Sequence, residues 1–137
     1  MARVLIPFSD PAGARRAVDL VLREARDATL SVHLLAMVEP RTGGRIGIFL
    51  TAARAEAMAR DAARRWLAPL EAVLAAAGVA YTSEVATGPV RRTLRAATER
   101  TDVDRVLLPP SPGHAWLARR ERSRIRDRSP HPVTLVA

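Results

Sequence analysis

Apolar residues in this chain gather in short runs, separated by longer segments in which they recur every three or four positions. That alternation predicts strands and helices in turn. Residues 3–8 are a short apolar run, read as a buried strand. Asp10 followed by Pro11 marks a helix start, with an acid at the cap and proline at the first helical position. Ala14, Ala17, Val18, Val21, Leu22 and Ala25 then follow at helical spacing, and Arg15, Arg16, Asp19, Arg23 and Arg26 lie between them as the solvated face. Residues 29–38 form a second apolar strand, and the glycine-bearing stretch 41–49 reads as a loop. Thr51 is the expected cap of a helix to Ala77, with an apolar stripe of Ala55, Met58, Ala59, Ala62, Trp66, Leu70, Val73 and Leu74. Pro69 is expected to kink this helix, and Gly78 stands where a left-handed terminating residue belongs.

The second half continues the pattern. Residues 79–86 alternate in part, giving a third strand. Gly88-Pro89 opens a helix with Val90, Leu94 and Ala97 facing inward, and residues 105–109 form a fourth strand. Residues 110–130 are polar, proline-bearing and arginine-rich, with a helix expected over about 115–127. Residues 132–137 are a last apolar strand. Strands alternating with helices imply right-handed crossovers, hence one doubly wound α/β domain with a parallel five-stranded sheet and helices on both faces. Strand orders 3-2-1-4-5 and 2-1-3-4-5 both satisfy the pattern. Either places ligands at the carboxyl ends of the strands, beside the switch point.

Composition narrows the classes. In 137 residues, 48% are apolar, enough for one sizeable core. No run approaches the roughly 18 apolar residues a spanning helix needs, and the opening apolar run is too short for a signal peptide. With no cysteine, disulfides, thiol nucleophiles and cysteine-ligated metals are excluded, and a cytoplasmic location is expected. The net charge is +8, yet every one of the 22 basic residues is arginine, and lysine, asparagine and glutamine are absent. That usage is the mark of GC-rich codons, so part of the charge reflects coding bias rather than a partner.

The order of motifs resembles the universal stress protein family. Val4-Leu5-Ile6-Pro7 is similar to that family's opening strand, and Ala14-Arg15-Arg16-Ala17-Val18 to its first helix. Val32-His33-Leu34-Leu35 resembles its second strand, and residues 72–85 its join into the third. Asp104-Arg105-Val106-Leu107-Leu108 and His131-Pro132-Val133-Thr134-Leu135-Val136 resemble its fourth and closing strands. The resemblance implies strand order 3-2-1-4-5, a stress-response regulatory role, and a homodimer pairing the last strand through Val133 and Leu135. In ATP-binding members, an aspartate closing the first strand receives the adenine or ribose region. A glycine-rich loop after the fourth strand holds ribose and phosphates on backbone amides.

Transferred to this chain, the resemblance marks Ser9, Asp10, Met37, Pro110, Gly113, Ser123 and Arg124 as the nucleotide-contacting positions. Ser9 stands in the aspartate's place, with Asp10 one residue later. Pro110 replaces the first loop glycine and brings no N–H. Gly113 is retained, while Ser123 and Arg124 fall where the last glycine and its hydroxyl neighbour belong. No cofactor is therefore expected through this motif. The alternative is ATP or AMP with Mg²⁺, held by a rebuilt arginine-rich loop, with slow nucleotide hydrolysis as its enzymatic form.

Other candidates are weighed residue by residue. Residues 119–128 hold six arginines and two acids. Arg120 with Arg124, and Arg122 with Arg126, are like charges one helical turn apart. An anion or protein partner at Arg119, Arg120 and Arg124 would relieve that repulsion, and a solvated surface is the plainer reading. Nucleic acid is a further alternative, opposed by an aromatic content of 4% and the lack of a reading motif. His33 reads as a core or sheet-facing histidine, and His114 and His131 flank the arginine segment without an acid pair to make a metal site. Asp102 and Asp104 read as solvated turn residues. Trp116 either fills the nucleotide cleft or packs on a partner. No catalytic residue is assigned.

Overall fold

A computed structural model of the chain describes residues 2–25, 29–38, 51–110 and 119–136, without the side chains of 119–121. The strands are β1 (Ala2–Phe8), β2 (Leu30–Val38), β3 (Ala80–Thr87), β4 (Arg105–Leu108) and β5 (Val133–Leu135). The helices are α1 (Pro11–Glu24), α2 (Ala52–Ala76), α3 (Val90–Arg100) and α4 (Arg119–Arg128). All strand pairings are parallel, in the order β3-β2-β1-β4-β5. The switch in strand order therefore lies between β1 and β4.

The central strands read as continuous apolar runs because both faces of the sheet are covered. Val4, Ile6 and Phe8 of β1 join Val32, Leu34 and Ala36 of β2 in a core beneath α1 and α2. Leu5 and Leu35 point the other way and pack with Leu94, Ala97, Val106 and Leu108 beneath α3. Along α1 the buried residues are small at the start (Gly13, Ala14, Ala17) and larger later (Val18, Val21), which lets the first turn lie close to the sheet.

Local chemistry sets the helix ends. Thr51 caps α2, its Oγ1 accepting the Arg54 N–H at 3.2 Å. At the other end, the Gly78 N–H donates to Ala75 O and the Val79 N–H to Leu74 O, each at 3.0 Å. That pair of bonds needs a left-handed residue, and Gly78 has φ of 71°. Within α2 the buried residues are Ala55, Ala63, Leu67, Leu70 and Leu74. The expected stripe holds at Ala55, Leu70 and Leu74, with Ala59, Trp66 and Val73 partly buried against the core, but it omits Ala63 and Leu67 and wrongly includes Met58, which is 55% exposed. Leu70 and Leu74 set the phase, and stepping back from them by helical turns reaches Leu67 and Ala63 rather than Met58. Pro69 lies inside the helix on its exposed face, and the element continues through it to Ala76.

Candidate functional site

The crevice at the switch point is bounded by the β1–α1 turn and the carboxyl end of β4. Ser9 is half-buried at the close of β1. The Asp10 carboxylate caps α1: Oδ1 accepts the Ala12 N–H at 3.3 Å and Oδ2 the Gly13 N–H at 3.2 Å. Both oxygens thus serve the helix's unpaired amides. Across the crevice, β4 is followed by Pro109, buried, and Pro110, half-buried. These two consecutive residues offer no N–H. The rims touch. A Cβ on Gly13 would lie 2.6 Å from the Pro110 carbonyl oxygen and 3.4 Å from Pro109 Cβ. Only glycine permits that approach.

Of the positions marked by the sequence, Ser9, Asp10 and Pro110 therefore come together. Met37 does not face the crevice: its side chain, 2% exposed, packs in the core with Leu94 and Leu108, because the odd-numbered residues of β2 point toward α3. Ser123 is half-buried on α4. Arg124 is exposed and lines a groove between α3 and α4. Gly113, His114 and Trp116 lie outside the described residues, as do the side chains of Arg119 and Arg120.

The residue that reaches the strand ends was not singled out in the sequence. Arg122 Nη2 donates to Leu108 O at 3.2 Å and to Val136 O at 2.9 Å, tying α4 to the carboxyl ends of β4 and β5. Its Nε is buried without a hydrogen-bond partner. Burial pushes the guanidinium below its ordinary pKa. The signal for it is helical phase. Ile125 is the one apolar side chain in residues 119–128, and Arg122 precedes it by one turn on the same inward face.

On the opposite half of the sheet, His33 is buried and fully engaged. Its Nε2 meets Glu84 Oε1 at 3.0 Å and its Nδ1 meets Thr82 Oγ1 at 2.6 Å. A carboxylate only accepts, so Nε2 carries the proton and, in the neutral ring, Nδ1 accepts from the threonine. Arg100 completes the cluster with two bonds to Glu84, 2.8 and 3.1 Å. Burial raises the Glu84 pKa, but the Arg100 and His33 hydrogen bonds outweigh it and hold the carboxyl below its ordinary value. The sheet-facing reading of His33 stands. Asp102 is exposed, as expected, while Asp104 does more than solvate a turn: its carboxylate accepts the Arg3 N–H at 2.7 Å, anchoring the start of β1. Among the described residues no cluster of three or more His, Asp or Glu could hold a metal, and no helix is long and apolar enough to cross a membrane.

Many arginines are paired locally. Arg15 bonds Asp19, Arg60 bonds Glu56, Arg105 bonds Glu24 and Arg126 bonds Asp127. These pairs neutralise part of the positive charge and break it up, which weakens the case for one continuous nucleic-acid surface.

The model of the universal stress protein family matches residues 1–136. A universal stress protein family structure from Burkholderia pseudomallei superposes with a TM-score of 0.77 at 17% identity, covering 98% of this chain and 95% of that one. A family protein from Arabidopsis thaliana, solved with AMP bound, gives 0.67 at 12% identity, covering 99% and 91%. A universal stress protein in complex with cAMP gives 0.57 at 18% identity, covering 99% and 97%. No curated protein matches the sequence.

Proposed function

The chain belongs to the universal stress protein family, and from that premise we propose that it is a regulatory stress-response domain whose strand-end crevice does not hold ATP. The observation that carries this reading is the contact between Pro110 and Gly13. A phosphate cradle needs converging N–H donors. Here the first loop position presents a carbonyl oxygen toward the start of α1, and Pro109 and Pro110 supply no amide. The Asp10 carboxylate, which would otherwise face a ribose, is bonded to the helix start.

The second reading is AMP or ATP binding through arginine side chains in place of backbone amides. It draws on the AMP and cAMP held by the two related structures, and on the Arg122 guanidinium at the ends of β4 and β5. Calorimetric titration of ATP·Mg²⁺ and of AMP separates the two, together with analysis of nucleotide released when the purified chain is denatured. The expected result is no released nucleotide and no binding heat up to about millimolar ligand. Micromolar binding, or stoichiometric released nucleotide, overturns the first reading and establishes the second.

Family members are commonly dimeric, and β5 is the strand that suits such pairing. The Val106 N–H donates to Pro132 O and the Val136 N–H to Leu108 O, each at 2.8 Å. The even-numbered residues therefore bond β4, and the backbone of Val133 and Leu135 faces the outer edge of the sheet. Light scattering of the full chain is expected to give twice the chain mass. A monomer mass at tens of micromolar, about the working range for such contacts, would overturn the pairing.

A further inference from the structure

The groove that Arg124 lines is distinct from the strand-end crevice. It lies between α3 and α4, over the first halves of β4 and β5, away from the crevice at their carboxyl ends. Its volume is about 510 Å³, within the roughly 300–1,000 Å³ of small-molecule sites. The floor is apolar, formed by Leu94, Ile125 and Val133, of which the last two are only half-buried. The walls carry Arg91 and Arg95 from α3 and Arg124 and Arg128 from α4. Among the described lining residues the carboxylate is Glu99, which bonds Arg95 at 3.1 Å, and Arg91 has a partner of its own. Arg124 and Arg128, one turn apart on α4, have no ion pair or hydrogen bond among the described residues.

We propose that this groove binds a small amphipathic organic anion, its apolar body on Leu94, Ile125 and Val133 and its carboxylate or phosphate between Arg124 and Arg128. The two walls and the floor each select against a simpler ligand. An inorganic anion would leave the apolar floor in water. A neutral apolar molecule would leave two like charges facing each other at helical spacing. Guanidinium forks match carboxylate and phosphate oxygens in pairs. The proposal stands apart from the strand-end crevice, so nucleotide binding there would leave it unchanged.

The test is a titration of the full chain with octanoate, followed by methyl NMR, with octan-1-ol and inorganic phosphate titrated in parallel. Octanoate is expected to bind saturably, moving the methyl signals of Leu94, Ile125 and Val133. Binding weakens about tenfold or more in the Arg124→Ser/Arg128→Ser double variant, as loss of two charge-assisted contacts implies. It weakens similarly in Thr98→Trp, which fills the groove from α3 and keeps its arginines. Should Thr98→Trp fail to fold, the double variant, altered only at exposed positions, decides alone. The proposal is overturned if octan-1-ol moves the same methyls as strongly, if phosphate alone binds as well as octanoate, or if the double variant binds octanoate undiminished. A phosphate-headed counterpart, octyl phosphate, then ranks the two head groups.

Discussion

Replacing Gly13 by alanine is expected to destabilise the fold by about 1–3 kcal/mol. At most helix positions the same change has the opposite sign, gaining about 1 kcal/mol from lower chain entropy and better propensity. The reversal follows from the Cβ that alanine would place 2.6 Å from the Pro110 carbonyl oxygen. That atom is backbone, at the end of a strand whose hydrogen bonds to β1 and β5 resist displacement, so relief by a side-chain rotation is not available. Asp10 Oδ2, 3.4 Å from the same Cβ, closes a second side. Urea unfolding measures the effect as a lower midpoint with unchanged slope, and Gly13→Val, with two further carbons, is expected to cost more than alanine. A Gly13→Ala variant as stable as the parent, or more so, would mean that β4 yields easily there. It would also remove the main ground for reading the crevice as closed.

That contact was invisible in the sequence, which does not show what Gly13 meets. The reason is that it joins two segments nearly a hundred positions apart. What was legible was local. Asp10-Pro11, Thr51 and Gly78 each satisfy backbone groups a few residues away, and each holds the place its chemistry predicts. The strands were legible because both faces of the sheet are buried, and the family resemblance selected the order in which they pair. The exact phase of α2 was less so, since alanines dominate its first half and mark no face strongly. In the arginine segment the same difficulty decides more. Arg122 and Arg124 are indistinguishable by type, yet a separation of about half a helical turn sends Arg122 to the strand ends and Arg124 to the α3–α4 groove. The single Ile125 carries that phase, and a reading of arginines alone could not recover it.

Glu84 presents the other large effect. It sits on β3 beside the residue pairing of His33 with Thr82, so the register of β2 against β3 brings threonine, histidine and carboxylate into one row. Arg100, at the end of α3, clamps the carboxylate from the far side. Glu84→Ala removes the acceptor for the His33 Nε2–H, a donor that is buried, and the expected loss is about 1–3 kcal/mol. Arg100 is exposed enough to find water, so its share is small. The pH dependence has a definite sign. The folded-state pKa of Glu84 lies below its ordinary 4.5, so the carboxylate's contribution is complete above that value and is lost as pH falls through the lower, folded value. The stability difference between the parent and Glu84→Gln, from urea unfolding, should therefore be largest near about pH 7 and shrink toward about pH 3. A difference that stays constant over that window would show that Glu84 acts by shape alone and that its charge contributes nothing. A difference that grows on acidification would place the folded pKa above the unfolded one, and the hydrogen bonds from Arg100 and His33 would then not outweigh burial.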